Sequence, residues 1–444
     1  MSSTYSVYKR VGLFAWPAII SNLSVPLLGL VDAGVLGHLS SPEYLGGVAI
    51  AGTLFSMLFW AFGFLRMGTT GLVAQARGRN DSDSFSQWLL HSVILALIIG
   101  VLVLLFSPLI LDFGLPFFEA SPLVSAQAEI YFQTRILSAP AVLINYALVG
   151  WLIGMHKPKG PLLILVAGNS INIVLDLLFV LVLGMETRGA ALATVIADYT
   201  ALLLGLNLVW RILVNESGRF TKTMLLNIRA IRQLLLLNRH LFVRTIGMLF
   251  VQAFFASRGA QMGDEVLAGN ALLLNLLMLI SSGLDGFAHA AEALTGEALG
   301  QKKKAVFHQV VRVTGQCSLI CGALFTLCFL VFGNSLLAGL TNIPEVINTA
   351  KTYMPWLIMM PMVAVWCYWL DGVFIGAVRT DMMQHTVLIA TGVIFLPVWY
   401  LTRAWGNHGL WFAYTLFMAT RGIGLLMAYQ WFTRKDVWLF QQPS

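Results

Sequence analysis

The chain has 444 residues, of which 58% are hydrophobic and 11% charged, with a formal net charge of +7. Soluble domains carry about 25% charged residues, so the composition excludes a soluble enzyme or a nucleic-acid-binding domain and points to an all-α polytopic membrane protein. Its four cysteines, Cys317, Cys321, Cys328 and Cys367, all fall inside apolar segments and show neither metal-ligand spacing nor placement for an extracellular disulfide.

The basic N-terminus, MSSTYSVYKR, runs directly into the first apolar segment and reads as an uncleaved signal anchor. That segment, Phe14 to His38, is long enough to cross a bilayer, which takes about 20 residues. It carries Pro17, Pro26 and Asp32. A proline inside a helix removes a backbone hydrogen bond, so the helix is expected to bend. A carboxylate at membrane depth is costly and marks a functional position.

Apolar runs separated by polar breaks predict twelve helices, over 11–37, 45–76, 86–107, 122–154, 160–183 and 189–213, then 236–261, 267–298, 308–333, 345–376, 381–402 and 408–433. The longest connection holds Glu216, Arg219, Lys222, Arg229 and Arg232 and divides the chain six and six. The expected organisation is a lobe over 1–215, a linker over 216–235 and a second lobe over 236–444. Lys9, Arg10, Arg77, Arg79, Lys157, Lys159, the linker bases, Lys302 to Lys304, Arg379, Arg434 and Lys435 all fall on one side. The opposite loops hold Arg188 and Arg403, so the positive-inside rule puts both termini in the cytoplasm.

A shift of 222 residues aligns the halves. LGGVAIAGTLFSMLFW from Leu45 meets LAGNALLLNLLMLISS from Leu267, and the same shift pairs Gly78 with Gly300, Gly150 with Gly372 and Gly154 with Gly376. Six helices per repeat preserve orientation, so two parallel six-helix bundles around a central cavity are expected, as in many transporters.

Depth follows from helical rise. Asp32 lies six residues before His38, Asp176 eight before Gly184, and Thr194 five after Gly189. All three are expected about 8–12 Å below the outer ends. Asn169, Asn172 and Asp176 stand at i, i+3 and i+7 on one face, and Thr194 and Asp198 are one turn apart. Amides and hydroxyls can meet a carboxylate in either protonation state, so this layer could exchange protons without stranding a charge. A network that only ties helices together is the alternative. Shifted by 222, Asp32 falls on Phe254 and Asp176 on Val398, so the acids are not repeated. The second half has its own acids, Asp285, Glu292 and Asp371, expected as cavity wall; His289 with Glu292 alone makes no metal ligand set. Arg66 and Arg135 are expected to partner carboxylates or carbonyls. No phosphate-binding glycine loop and no HExxH occur, which argues against an enzyme or an ATP-driven pump.

FAWPAIISNLSVPLLGLVDAGVLGHL, LGGVAIAG and GLVAQARGRND resemble the multidrug and toxic compound extrusion (MATE) family, in its DinF-type bacterial branch. The resemblance covers the whole chain. It implies a secondary transporter, not an enzyme, exporting cationic or amphipathic drugs by antiport against protons or sodium ions. It implies a coupling cluster at Asp32, Asn172, Asp176 and Thr194, and a helix-1 hinge at Pro17 and Pro26. Leu28 departs from members with a tyrosine one turn before the acid. The sodium-coupled branch uses acids in helices 7 and 10; helix 7 here has none in its apolar span, which favours protons. The wider cavity set is Asn145, Asn169, Asp198, Asp285 and Asp371. The expectation is therefore a monomeric, cofactor-free, proton-coupled exporter of the bacterial inner membrane. A lipid-linked precursor flippase or a sodium-coupled exporter is the alternative, but a flippase would need a cationic cavity.

Overall fold

The computed structural model describes residues 4–36, 41–216 and 218–438; the side chains of Pro26 and Asp32 lie outside the described residues. Helix α1 is Thr4–Leu36. Eleven further helices among the described residues are long and apolar enough to span a bilayer. They are α2 Glu43–Gly78, α3 Ser82–Leu105, α4 Pro122–Gly154, α5 Lys159–Val182, α6 Glu186–Asn215, α7 Ile228–Ala260, α8 Asp264–Gly300, α9 Lys304–Leu340, α10 Pro344–Gly376, α11 Thr380–Trp405 and α12 Asn407–Lys435. The twelve expected helices are all present. Several outrun their apolar windows: α9 begins at Lys304 and ends at Leu340, against an expected 308–333. Hydropathy marks the stretch that suits the bilayer, whereas helical hydrogen bonding continues into the wet flanks.

Local chemistry sets the helix starts. Pro122 and Pro344 each open a helix, where a missing N–H costs nothing. The Asp81 carboxylate caps α3 by accepting from the Ser84 N–H at 2.9 Å.

The 222-residue shift is written into the backbone. The starts Ser82 and Pro122 map onto Lys304 and Pro344, and the ends Gly78 and Gly154 onto Gly300 and Gly376. Left-handed residues recur at the same offset: Asn80 and Lys302, His156 and Val378, Gly184 and Gly406. So do the closest helix approaches. A Cβ on Gly150 would strike the backbone of Arg66, and one on Gly372 the backbone of Ala288, so both positions need glycine. The π-helical turns break the pattern, lying at Leu177–Val182 and Ala390–Phe395.

The chain divides into two compact units. One is Ile20–Leu235. Within it the Trp151 indole donates to the Phe85 carbonyl at 2.9 Å, joining α4 to α3. Thr69 donates to Ser92 at 2.8 Å, joining α2 to α3. The other unit combines the residues from Leu236 onward with the first part of α1, through Ile19. There Arg10 pairs with Glu297 at 2.5 Å, Tyr8 donates to Gln316 at 2.6 Å, and Gly286 leaves room for Ala15 and Ile19. Helix α1 is thus shared between the units, where the sequence pattern placed it wholly in the first. In the same unit Asn270 and Asn407 exchange amide hydrogen bonds at 2.8 and 2.9 Å, and the Trp411 indole donates to Asn270 at 2.8 Å.

Candidate functional site

Within unit 20–235, α5 presents Asn172 and Asp176 one turn apart, both almost fully buried at 2% and 1% exposure. The stripe ends where the π-helical turn begins, directly after Asp176. π-turns recur at functional positions because they re-aim side chains within a helix. Thr194, on α6, meets this stripe. The Asn172 amide nitrogen donates to the Thr194 hydroxyl at 3.2 Å, and that hydroxyl donates to the Ala190 carbonyl at 3.0 Å.

The Asn172 amide fits its surroundings in a second orientation. Turned over, its nitrogen donates to Asp176 Oδ2 at 3.1 Å, and its oxygen accepts from the Thr194 N–H at 3.3 Å and hydroxyl at 3.2 Å. That orientation suits an ionised Asp176, which only accepts. An amide can turn over, and with its oxygen toward Asp176 it would accept from the carboxyl if that carried a proton. Three side chains 22 residues or less apart therefore form one hydrogen-bonding unit able to answer both forms of the acid.

The remaining candidates in this unit are partly drawn together. Asn145, on α4, donates to the Asp198 backbone carbonyl at 3.4 Å. Asp198 is half-buried on α6 and lies in the field of Arg135. The Arg135 guanidinium donates to the Tyr131 hydroxyl at 3.2 Å and lies 4.9 Å from the centre of the Phe55 ring. Asn169 is half-buried on α5, one turn before Asn172. Pro17 is half-buried within a continuous α1.

The other unit holds a cluster of different chemistry. Asp371, on α10, is buried between Arg244 of α7 and Arg421 of α12; Arg244 donates to its Oδ2, and Arg421 donates to the same oxygen at 2.9 Å. All three residues are at most 6% exposed. Asp371 is therefore the centre of a buried ion triad, not an open stretch of wall. Sequence reading singled out Asp371 and passed over both arginines. The available signal was two lone arginines deep in apolar spans, in LFVRTIG and MATRGIG. Asp285 is half-buried on α8 and Glu292 almost fully buried on the same helix.

The model of the MatE family matches residues 17–178 and 241–401, one match in each half. The chain belongs to the MatE family. It is 42% identical over 433 residues to DNA damage-inducible protein F of Escherichia coli (strain K12), covering 97% of this chain and 94% of that protein. It is 23% identical to the probable multidrug resistance protein NorM of Acinetobacter baylyi, covering 94% and 95% of the two chains. Among solved structures, a mutant of the Vibrio cholerae MATE transporter VcmN superposes with a TM-score of 0.86 at 19% identity, covering 99% of this chain and all of that one. An outward-facing multidrug resistance MATE family transporter of the MOP superfamily superposes at 0.85. This MatE protein is thus a multi-pass membrane transporter, not an enzyme, with the twelve-helix, two-repeat fold of that family.

Proposed function

We propose that this MatE protein is a proton-coupled antiporter that exports cationic or amphipathic drugs across the bacterial inner membrane, with both termini in the cytoplasm, acting as a monomer. The observation that carries the reading is the buried cluster of Asn172, Asp176 and Thr194, in which the Asn172 amide, with its nitrogen toward Asp176, donates to the carboxylate and accepts from Thr194, and by turning over could accept from a protonated Asp176 instead. Asp32 belongs to this cluster by the depth and resemblance arguments, and Pro17 and Pro26 supply the hinge by which α1 responds.

In this mechanism the ionised cluster is hydrated and negative and holds a cationic drug. A proton entering from outside removes that charge, the amide turns, and α1 bends and releases the drug outward. The proton drives the change because it binds the two shapes with different affinity. Efflux of a cationic dye from proteoliposomes under an imposed pH gradient tests it. Asp176→Asn should fold and insert yet lose gradient-driven efflux. Efflux by the variant at the wild-type rate, or wild-type efflux driven by sodium at uniform pH, would overturn the reading.

A further inference from the structure

An apolar furrow of about 140 Å³ lies in unit 20–235, away from the polar cluster. Leu89 and Val93 of α3, Leu148 of α4, and Val209 and Leu213 of α6 line it, together with Phe220 of the linker. Its floor is dry: Leu89, Leu148, Val209 and Leu213 are each 5% exposed or less. Its flanks are open, with Leu206 41%, Trp210 60% and Phe220 45% exposed. An apolar lining of this kind favours hydrocarbon over water.

The furrow runs along the last turns of α6 and opens toward the linker. It follows α6 from Leu213 back to Leu206, two and nine residues before the helix ends at Asn215. At 1.5 Å per residue the lined stretch is about 10 Å long.

The mouth is basic. Phe220 is flanked in sequence by Arg219 and, two residues on, Lys222, both exposed, whereas Arg211, after Trp210, donates from Nε to Asn207 Oδ1 at 3.1 Å. The one acid in this stretch, Glu216, pairs with Arg77 at 3.6 Å. The linker is held over the mouth by its Met224 carbonyl, which lies 2.8 Å from His91 Nε2 and 3.4 Å from Gln87 Nε2, both on α3. A tryptophan at the open flank and bases at the rim are the side chains that seat headgroups at a membrane interface.

We propose that this furrow binds the headgroup-proximal part of one acyl chain of an anionic phospholipid of the cytoplasmic leaflet, with the headgroup on Arg219 and Lys222. The lipid would fasten the inter-repeat linker to α3 and α6. The proposal uses the cytoplasmic placement of this end argued above, and nothing of the proton mechanism.

The test is native mass spectrometry of the full-length protein, delipidated in detergent and titrated with phosphatidylglycerol or phosphatidylcholine of matched chains. Phosphatidylglycerol should bind at least about tenfold more tightly. Arg219→Gln and Lys222→Gln should each weaken it about fivefold, the worth of one basic residue beside an anionic headgroup, and should weaken phosphatidylcholine, whose phosphate is offset by its own ammonium, less. Leu206→Trp, which fills the furrow from an exposed flank, should weaken both lipids. Equal affinity for the two lipids would overturn the proposal. So would indifference to Leu206→Trp, or competition for the site by a transported cationic dye.

Discussion

The two repeats bury a carboxylate with opposite kinds of partner. In unit 20–235, Asp176 is met by the Asn172 amide, which also joins Thr194. In the other unit, Asp371 is met by two guanidiniums, Arg244 and Arg421. Neither arrangement has a copy in the other repeat. Shifted by 222 residues, Asn172, Asp176 and Thr194 become Ile394, Val398 and Leu416, while Arg244, Asp371 and Arg421 come from Asn22, Val149 and Tyr199. Much of the scaffold is repeated at one offset, as the paired helix ends and left-handed turns show. The polar interior is not. An amide and a hydroxyl can rearrange around an acid at little cost, so the first cluster is suited to change state. Two buried guanidiniums around one carboxylate leave no neutral alternative, so the second is suited to hold helices together.

The sharpest way to break that contrast is to remove the triad's acid. Asp371→Ala would leave two uncompensated guanidiniums in a buried site, a loss of about 3–5 kcal/mol. Thermal unfolding of the purified protein should show a large drop in Tm, and replacing all three members with Met and Leu should recover most of it. Asp176→Asn, by contrast, keeps its shape and its hydrogen bonds and should leave Tm close to wild type. If Asp371→Ala were as stable as Asp176→Asn, the triad would not be a structural tie.

The second prediction concerns function and proceeds from the same contrast. Asp32→Asn should bind a cationic drug with an affinity that responds less to pH, because only Asp176 remains to take up a proton, whereas wild-type affinity should fall as pH is lowered and protons displace the drug. Per folded molecule, Asp371→Asn should keep the wild-type pH response. Fluorescence titration of drug binding across pH checks all three proteins. An equal loss of response in Asp32→Asn and Asp371→Asn would mean that both repeats carry coupling chemistry.

The smallest expected effect lies at the foot of α1. Arg10→Ala removes the pair with Glu297, whose side chains are 41% and 19% exposed. Such half-open pairs contribute about 0–1 kcal/mol. The Tm should therefore shift by no more than a degree or two. A drop comparable to that of Asp371→Ala would show that the shared first helix, and not the triad, anchors the second unit.

Much of this molecule was legible without coordinates. A bilayer demands about 20 apolar residues per span, so the twelve helices and their order follow from hydropathy alone. The repeat was visible because close helix packing tolerates only glycine, and Gly150 and Gly372 keep the same offset as the backbones they touch. The stripe Asn169, Asn172, Asp176 was visible because helical periodicity is local, and the same periodicity put Thr194 at matching depth. Other features depend on which helices become neighbours, and hydropathy carries no information about that. Arg244 reaches Asp371 across 127 residues and Arg421 across 50, through side chains that look like three unrelated charges in three apolar runs. The orientations open to Asn172 depend on Thr194 lying within hydrogen-bond reach on another helix. The packing of the first part of α1 on α8 depends on Gly286 admitting Ala15 and Ile19. The sequence by itself determined the spans, their order and their duplication, because water and lipid act on each segment separately. Only the tertiary structure decided which buried charges meet, because a pairing is a property of two helices at once.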